Sequence, residues 1–564
     1  MAKVILFAIV ASILFSCSSP GKNFIEGRDI ITGNGMVVSA HPRSSSAGAG
    51  ILMEGGNAID AGVATEFALA VCYPEAGNIG GGGFWVIKTH EGNYLMIDYR
   101  EKAPSMSMRD MFLDSVGNVI EGMSTGSHLA SGVPGTVDGM LEVHKKFGKL
   151  PFRKVIQPSI DLARNGFPVT AGGAASLNAN RDKFIERNLK TPAFVKDTPW
   201  KEGDTLRQPE LAETLERIRD HGRDGFYSGK TAGLIVREME RGGGIISYHD
   251  LNDYKAVFRE PLSADYKDYR VTTVSPPSGG GIILFQLLRM AEPYPLGEWG
   301  FHSVKAIHLI AEAERRAFAD RSLHHGDPGY MEVPVDLLLT KEYNASRMKS
   351  FNENRASLSG SIEPGSPLTA EKEETTHYSV VDARGNAVAA TTTLNGTFGS
   401  SIIVDGAGFL LNNQMDDFSL KPGFPNMYGL QGGEVNAVGP GKRMLSSMTP
   451  AIVEKNGELF LVLGSPGGST IPTTVFQVLI NTAEFGMSVS DAVAAGRFHH
   501  QWLPDCIYHE KERFDSLTLL VLSQMGHVFT ERSSIGRVNA IQILPDGRKA
   551  AGADPRGDNT ACGY

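Results

Sequence analysis

The sequence predicts an α+β protein that combines antiparallel β-hairpins with helices. The clearest hairpin signal is Asn456-Gly457 between the apolar segments 450–454 and 459–463, because Asn-Gly is the dipeptide that two-residue hairpin turns favour. The clearest helix signal is segment 302–321, whose apolar residues recur with a helical period along one face. Hairpins combined with helices in one chain are typical of sheets that are covered by helices.

The other predicted elements follow the same two patterns along the chain. Segment 48–70 is amphipathic, and its helical pattern is interrupted at residues 55–57, which are Gly-Gly-Asn. Further helices are predicted at 141–147, 155–163 and 473–485, a hairpin joins 378–382 to 387–394, and a third hairpin turns at Asp546-Gly547.

The first 27 residues are predicted to lie outside the fold. An apolar run at 4–15 follows a lysine and is too short to span a membrane, so residues 1–16 fit an export signal. The run ends at Cys17, as in bacterial lipoproteins, and residues 17–27 are predicted to be a tether. Phe15 is bulkier than the residue usual there, which leaves ordinary signal cleavage as the alternative. We therefore expect an exported protein of the periplasm or cell envelope, anchored by lipid on Cys17.

The composition argues against several classes of partner and cofactor. The chain has 54 Lys and Arg against 63 Asp and Glu, a net charge of −9 without long charge runs, whereas a nucleic-acid partner requires a basic surface. Without Cys17, three cysteines remain at wide spacing (Cys72, Cys506 and Cys562), so no disulfide framework is predicted. No cluster has the spacing of a zinc site. We expect neither a metal nor a cofactor.

Segment 352–374 is predicted to be a loop. It is rich in Ser, Gly, Pro, Glu and Asn and has only scattered apolar residues. Its composition alone is equally typical of an inter-domain linker. Because it ends directly before Thr375, we interpret it as an exposed loop in which the chain is cut.

Thr375 opens a β-like segment after this loop, in the run Glu374-Thr375-Thr376-His377. A threonine hydroxyl is a weak nucleophile that needs an adjacent base, and an N-terminal threonine carries one in its α-amine, which titrates near ~7.7–8.0. Inside a chain Thr375 has no such amine, so a catalytic role requires a cut between Glu374 and Thr375. Local chemistry does not distinguish Thr375 from Thr376, and either could simply begin a strand.

A series of motifs extends from about residue 28 to Tyr564. They are Ser39-Ala-His-Pro42, Gly55-Gly-Asn-Ala-Ile-Asp-Ala61, Gly80-Gly-Gly-Gly-Phe84, Asp98-Tyr-Arg-Glu-Lys-Ala-Pro104, Gly132-Val-Pro-Gly135, Thr375-Thr-His-Tyr-Ser-Val-Val-Asp382, Thr393-Leu-Asn395, Leu411-Asn-Asn-Gln-Met-Asp-Asp-Phe-Ser419, Leu445-Ser-Ser-Met448 and Gly464-Ser-Pro-Gly-Gly468. In order and spacing they resemble the motifs of γ-glutamyltransferases, also called γ-glutamyltranspeptidases, which are N-terminal-nucleophile hydrolases. The resemblance implies a four-layer αββα sandwich, in which a large subunit (28–374) and a small catalytic subunit (375–564) form one core.

The resemblance also implies which residues carry out the reaction. Thr375 corresponds to the family's nucleophile, and Thr393 to the residue that hydrogen-bonds the nucleophile's hydroxyl. Gly467 and Gly468 correspond to the oxyanion hole, where glycine lets backbone N–H groups come close to the substrate. Taken alone, a Gly-Gly pair is most often a turn, and a threonine pair on a strand most often reflects β-propensity.

The residues expected to bind the γ-glutamyl group follow from the same resemblance. An α-carboxylate suits the planar fork of arginine, and Arg100 corresponds to the family's carboxylate-binding arginine, although a lone arginine is more often a surface ion pair. Oxygen atoms are expected around the α-ammonium. The complete expected substrate site is Arg100, Thr393, Asn395, Gln414, Asp417, Tyr428, Ser446, Ser447, Gly467 and Gly468.

Three neighbours of the expected site have different roles. Segment 422–433 is rich in Gly and Pro and corresponds to the family's lid loop, with Tyr428 at the gating position. Asp416 is expected to point away from the substrate because alternate residues of a strand face opposite sides. His499 and His500 are expected to be structural, since an N-terminal threonine needs no separate imidazole.

The resemblance leaves three functions to compare. The first is a γ-glutamyl hydrolase/transferase that acts on glutathione and other γ-glutamyl compounds and transfers the group to water, an amino acid or a dipeptide. It would be a heterodimer of two fragments of one precursor. The second is a related acylase that acts on glutaryl-cephalosporins. The third is a non-catalytic surface-binding lipoprotein that kept the scaffold.

Overall fold

The structure is a computed structural model that describes residues 24–362, 375–421, 423–430 and 432–564. The expected signal at 1–16, Cys17, the end of the expected processing loop and Glu374 lie outside the described residues. Within the described part, no helix is long and apolar enough to cross a membrane.

The strands share an almost entirely antiparallel arrangement. In chain order they are β1 (Ile25–Gly27), β2 (Ile31–Thr32), β3 (Met36–Ser39), β4 (Gly82–Lys88), β5 (Tyr94–Asp98), β6 (Phe167–Pro168), β7 (Thr205–Leu206), β8 (Val257–Arg259), β9 (Leu262–Tyr266), β10 (Tyr269–Thr273), β11 (Thr375–Val381), β12 (Ala387–Thr393), β13 (Ala451–Lys455), β14 (Glu458–Gly464), β15 (Phe498–His499), β16 (Ile507–Glu510), β17 (Phe529–Arg532), β18 (Asn539–Ile543), β19 (Lys549–Ala553) and β20 (Thr560–Gly563).

Helices flank these strands. They are α1 (Pro42–Met53), α2 (Ala58–Cys72), α3 (Met123–Gly126), α4 (Thr136–Phe147), α5 (Phe152–Asn165), α6 (Ala171–Ala179), α7 (Arg181–Arg187), α8 (Pro209–His221), α9 (Asp224–Tyr227), α10 (Gly229–Gly242), α11 (Tyr248–Asp253), α12 (Gly280–Ala291), α13 (Leu296–Trp299), α14 (Val304–His324), α15 (Val335–Leu338), α16 (Lys341–Arg347), α17 (Ile471–Ala483), α18 (Val489–Ala494) and α19 (Ser516–Gln524).

Two large sheets form the centre of the molecule. The first has the strand order β1-β20-β3-β11-β12-β4-β5-β8, and the second has the order β2-β19-β18-β14-β13-β10-β9. In both sheets, strands from before residue 375 lie beside strands from after it. The two parts of the chain on either side of the expected cut therefore share both sheets.

Alternation along the strands divides the core into layers. On β4, Trp85 and Ile87 belong to the apolar cluster that contains α1, α2 and α5 residues. Phe84 and Val86 of the same strand belong to the cluster that contains the second sheet and residues of α12, α14 and α17. The resulting order of layers is helix, sheet, sheet, helix. This confirms the α+β fold and the four-layer arrangement expected from the sequence.

The predicted elements are found, with boundaries that differ by up to several residues. Segment 48–70 forms α1 and α2, and the break between them is fixed by a capping box at Asn57 and Asp60. The predicted hairpins are β11–β12, β13–β14 and β18–β19. The tether expected at 17–27 ends earlier, because Ile25–Gly27 pairs with the last strand of the chain, with Ile25 opposite Gly563.

Candidate active site

The β11–β12 hairpin places two threonines side by side. Thr375 is the first residue of β11 and lies opposite Thr393, the last residue of β12. The two side-chain oxygens are 3.4 Å apart, and both residues are buried. The closed hairpin thus brings together the two threonines that the sequence places in the site.

Strand geometry separates Thr375 from its neighbour. Adjacent residues on a strand point to opposite faces, and Thr375 lines a cavity that also contains Arg100, Asp417 and Gly468. Thr376 does not line this cavity, and its hydroxyl is buried without a hydrogen-bond partner among the described residues. Of these two neighbouring threonines, Thr375 is the one placed to meet a substrate in that cavity.

Beyond β12, Asn395 is fixed by several contacts. Its backbone N–H donates to the Thr393 hydroxyl over 2.8 Å, and its side-chain amide donates to the Asn413 carbonyl over 3.0 Å. Its φ of 79° lies in the left-handed region, where asparagine is one of the tolerated residues. The Tyr428 hydroxyl donates to Asn395 Oδ1. Asn395 therefore links the threonine pair to the lid segment.

Gly467 and Gly468 connect β14 to α17. Their φ values of 125° and 52° are both in the region that favours glycine. A Cβ atom on Gly467 would come within 2.4 Å of Thr470 Oγ1. Gly468 begins a turn of 3-10 helix and lines the cavity beside Thr375. This backbone is compatible with the predicted oxyanion hole.

Arg100 follows β5 and is almost completely buried. Its guanidinium pairs with Asp417 and also donates to the carbonyl oxygens of Met444, over 3.3 Å, and Leu445, over 3.2 Å. Asp417 also accepts a 2.8 Å hydrogen bond from the Gln414 amide. The cavity therefore presents a cation and an anion next to each other.

Asp416 does not line the cavity of Thr375, but the expected reason was wrong. Residues Gln414–Asp417 form a turn of 3-10 helix rather than a strand, in which consecutive side chains are spread around the axis. Asp416 accepts hydrogen bonds from the Ser124 hydroxyl (2.6 Å) and the Met427 N–H (2.9 Å). Burial raises its pKa to about 6. Asp416 thus fastens the lid segment through Met427.

Ser446 and Ser447 line the cavity on the side of the second sheet. The Ser446 hydroxyl accepts the Met448 N–H over 3.1 Å, and Arg321 donates to the Ser447 hydroxyl over 3.4 Å. Arg321 is buried, lies in the last turn of α14 and also lines the cavity. No sequence pattern marked this second arginine as a site residue, although Arg321 is the last residue of a predicted helix.

The lid segment lies against the site through Tyr428. This residue lines the cavity together with Leu430 and is buried. The Gln501 amide donates to the Tyr428 carbonyl over 3.4 Å. Tyr428 therefore lies where the resemblance expects a gate, in contact with Asn395.

The histidines near the site have their hydrogen bonds elsewhere. His499 shares hydrogen bonds with Thr473 (2.9 Å) and Gln501 (3.1 Å). His500 contacts Asp505 over 3.3 Å, and burial lowers its pKa to about 4. These contacts agree with the structural roles predicted for both residues.

Comparisons with known proteins agree with this geometry. Residues 44–564 match the family profile described as Gamma-glutamyltranspeptidase. The chain is 48% identical to the glutathione hydrolase proenzyme of Escherichia coli strain K12, over 94% of this chain and 92% of the relative. In structure it is similar to the cephalosporin acylase of Bacillus halodurans, with a TM-score of 0.83, 26% identity and 99% of each chain covered. It is also similar to Helicobacter pylori gamma-glutamyltranspeptidase, with a TM-score of 0.57, 42% identity, 58% of this chain and 94% of the other.

These findings confirm the resemblance, the enzyme class and the fold that the motifs implied. An enzyme with an N-terminal nucleophile accounts for the position of Thr375 at the start of β11, directly after the predicted processing loop. This chain belongs to the gamma-glutamyltranspeptidase family.

Proposed function

We propose that the enzyme cleaves the γ-glutamyl amide bond of glutathione and related compounds and transfers the γ-glutamyl group to water, an amino acid or a dipeptide. The observation that carries the proposal is the cavity in which Thr375 faces the Arg100–Asp417 pair. A nucleophile is there combined with opposite charges that match the two charged groups of an α-amino acid. The E. coli relative is named a glutathione hydrolase proenzyme, which supports both the substrate and a precursor.

Maturation would begin in the single chain. The Thr375 hydroxyl attacks the carbonyl carbon of Glu374, and the acyl group moves from nitrogen to oxygen, which gives an ester. Water hydrolyses this ester, so that Glu374 ends in a carboxylate and Thr375 gains a free α-amine. The fragments 28–374 and 375–564 remain associated as a heterodimer, because strands of one fragment pair with strands of the other in both sheets.

Catalysis would use that amine as the base. The amine accepts the proton of the Thr375 hydroxyl while Oγ1 attacks the γ-carbonyl carbon of the substrate. The developing oxyanion accepts hydrogen bonds from the N–H groups of Gly467 and Gly468. The leaving amine takes the proton, and a γ-glutamyl ester stays on Thr375. Water or an acceptor amine then attacks the ester and restores the hydroxyl. The Thr393 hydroxyl, 3.4 Å away, orients Oγ1.

Recognition of the γ-glutamyl group would divide between the two charges of the cavity. Arg100 binds the α-carboxylate, assisted by the hydroxyls of Ser446 and Ser447. Asp417, Gln414 and Asn395 accept hydrogen bonds from the α-ammonium. Tyr428 closes the site through its contact with Asn395.

The acylase is the second candidate, because the B. halodurans cephalosporin acylase shares the fold over 99% of both chains. A glutaryl group has a carboxylate but no α-ammonium, so it would leave Asp417 facing a methylene group. Asp417 and the glutaryl carboxylate would then both face Arg100 without the ammonium that offsets the second negative charge, which is unfavourable in a partly buried position. We therefore expect glutathione to be preferred to glutaryl-7-aminocephalosporanic acid, and the ratio of the two kcat/KM values tests this.

The location of the protein is a further part of the proposal. The apolar run 4–15 that ends near Cys17 supports export. If Cys17 carries the lipid, radioactive palmitate should label the wild-type protein but not the Cys17→Ala variant. An unlabelled wild type released by osmotic shock would contradict the anchor and leave simple export.

One incubation tests the activity. The purified protein is given glutathione with and without glycylglycine, and glutamate and γ-glutamyl-glycylglycine are measured. Glutamate alone identifies hydrolysis, and the tripeptide product identifies transfer. If a protein that is cut before Thr375 forms neither product, the proposed function is contradicted.

A further inference from the structure

Segment 352–362 is the part of the chain described directly before Thr375, and it is fastened at several points. The Asn352 carbonyl accepts a 2.8 Å hydrogen bond from His308, and the Ala356 N–H donates to the Met525 carbonyl over 2.8 Å. Ser359 and Ile362 are buried. Part of the predicted processing loop is therefore packed into the protein.

Helix α14 holds the middle of this segment. Glu312 accepts hydrogen bonds from the Ser357 N–H (3.0 Å) and the Ser357 hydroxyl (2.6 Å). Arg315 donates to the Ser357 carbonyl over 3.0 Å, and Arg316 donates to the Ser357 hydroxyl over 3.2 Å. Every polar group of Ser357 is thus bound by one face of α14.

The end of the segment is held by residues from after Thr375. Asp505 accepts the Ser359 N–H over 2.7 Å. The Trp502 indole N–H lies 3.0 Å from the Ser359 carbonyl and 3.1 Å from the Ile362 carbonyl. These contacts cross from the expected small subunit to the expected large one.

Arg315 joins the two groups of contacts. It pairs with Asp505 over 3.0 Å and lies 3.6 Å from Glu312. We call Arg315, Trp502 and Asp505 the clamp.

His308, Glu312 and His527 also bring possible metal-ligand atoms within 4.8 Å of one another. Glu312 already accepts from Ser357 and Arg316, and two guanidinium groups beside it oppose a cation, so we interpret this cluster as part of the same hydrogen-bond network.

We propose that Trp502 and Asp505 are positioning residues for maturation, which fix Ser359–Ile362 and so bring the cleavage point to Thr375. The inference rests on the proposed cut between Glu374 and Thr375. Neither residue lines the cavity of Thr375. Their role is to set how much chain separates two fixed points, Ile362 on one side and Thr375 on the other.

The size of the effect follows from chain length. With the clamp formed, residues 363–374 connect the fixed points. Without the contacts of Trp502 and Asp505, Ser357 is still held by Glu312 and Arg316, and the connection extends over residues 358–374. The probability that the ends of a chain segment meet falls roughly as the −3/2 power of its length. This length dependence alone slows cleavage by about 1.7-fold, and loss of a preferred direction of approach adds to it.

Ser359 provides a backbone test with a matched control. Ser359→Pro removes the N–H that Asp505 accepts, at the first position of a short 3-10 helix (Ser359–Ser361) where proline is tolerated. Leu358, with φ −82° and ψ 128°, already has the conformation required before proline. Ser359→Ala keeps the N–H and removes a hydroxyl that has no described partner. Trp502→Phe removes the indole N–H and keeps an aromatic ring.

The experiment follows cleavage of newly synthesised precursor. Pulse-labelled wild type, Ser359→Ala, Ser359→Pro and Trp502→Phe are chased after cell-free translation, and the two fragments are quantified on gels. We expect Ser359→Pro and Trp502→Phe to be cut more slowly by at least about 1.7-fold, and Ser359→Ala to be cut at the wild-type rate. Once cut, all four should have the same kcat and KM for glutathione.

Two results would contradict the inference. Wild-type cleavage rates in both Ser359→Pro and Trp502→Phe would exclude a role in maturation. Slow cleavage together with a lower kcat and a lower Tm of the cut enzyme would indicate that the residues only stabilise the fold. Mass spectrometry of the wild-type fragments separates the two proposals, because a small fragment that begins elsewhere than Thr375 contradicts the proposed cut itself.

Discussion

Arg100 and Arg316 are both buried arginines that pair with a carboxylate, yet their surroundings differ. Arg316 donates to the Arg347 and Glu312 carbonyls, to the Glu312 carboxylate and to the hydroxyls of Ser350 and Ser357. These contacts use all of its N–H groups. Arg100 pairs with Asp417 at the wall of the cavity that contains Thr375.

The two pairs show how buried charge should be interpreted in this protein. A buried ion pair does not by itself indicate a functional site, and such pairs frequently only replace hydration by protein contacts. The pair at Arg100 marks the site because it adjoins a cavity with a nucleophile. The pair at Arg316 fastens one helix to a neighbouring segment. Substitutions in the first region should change catalysis, and those in the second should change stability.

The sharpest test of the cavity region is its nucleophile. We expect Thr375→Ala to remain one uncut chain and to lose activity by roughly 10⁴-fold or more, the order seen when a nucleophile is removed. Its Tm should match that of the wild-type precursor. Thr376→Ala is the matched control and should be cut and active. N-terminal sequencing and glutathione assays measure both, and an active, cut Thr375→Ala protein would contradict the assignment.

The second region should lose stability when its anion is neutralised. Burial opposes ionisation of Glu312, but Arg315, Arg316 and the hydrogen bond from Ser357 outweigh burial and lower its pKa from 4.5 to about 2. A shift of this size corresponds to about 3 kcal/mol of unfolding free energy. We expect Glu312→Gln to lower the unfolding free energy at pH 7 by that order, as measured by urea unfolding of the uncut chain in the Thr375→Ala background.

The pH dependence of that loss makes the test specific. Because the pKa of Glu312 is lower in the folded protein, its contribution is complete above the unfolded-state pKa of 4.5 and disappears as the pH falls towards about 2. The difference between the two proteins should therefore shrink between these pH values. A difference that stays constant with pH would show that Glu312 contributes through packing rather than charge.

A smaller effect is expected when the cavity arginine is replaced by lysine. Arg100→Lys keeps the charge but loses the planar fork, and hydrogen bonds to charged groups are worth roughly 1.5–3 kcal/mol. We expect the KM for glutathione to rise about tenfold or more. Arg316→Lys is the control from the second region and should lower Tm without changing KM. Equal KM values for wild type and Arg100→Lys would remove Arg100 from the site.

The smallest change is expected from the histidines next to the site. The rate of acylation should rise with pH through one ionisation near or below ~7.7–8.0, the range of an α-amine. Burial lowers the pKa of His500 to about 4, so this imidazole is already neutral over that range. His499→Asn and His500→Asn should keep the profile in correctly cut protein. Loss of acylation in either variant, with cleavage intact, would require a histidine base.

Local sequence signals predicted the scaffold of the site well. The turn residues 383–386 predicted the β11–β12 hairpin, and the hairpin alone brings Thr375 beside Thr393. The motifs and the lid segment included most of the other residues that line the cavity, but not Arg321. The residue-by-residue roles remain predictions that the substitutions above examine.

The rest of the architecture depends on contacts between distant parts of the chain. Strand β1 forms only because Ile25 lies opposite Gly563, which no local pattern shows. His308 and His527 contact each other over 2.7 Å although 219 residues separate them. In the sequence, Arg321 is only the last residue of a predicted amphipathic helix. The fold places that end of the helix at the cavity. Asp416 was assigned to a strand, because a single turn of 3-10 helix has no recognisable period.

Strands from before and after Thr375 lie side by side in both sheets, which makes unfolding harder to reverse after the cut than before it. Before the cut, one chain folds to form both sheets, and an unfolding event can be reversed by the same chain at any dilution. After the cut, unfolding releases two separate polypeptides, each with strands whose hydrogen-bonding partners are on the other. Reassembly then depends on concentration and competes with aggregation of exposed strand edges. The mature enzyme is therefore maintained by a slow rate of unfolding rather than by repeated refolding.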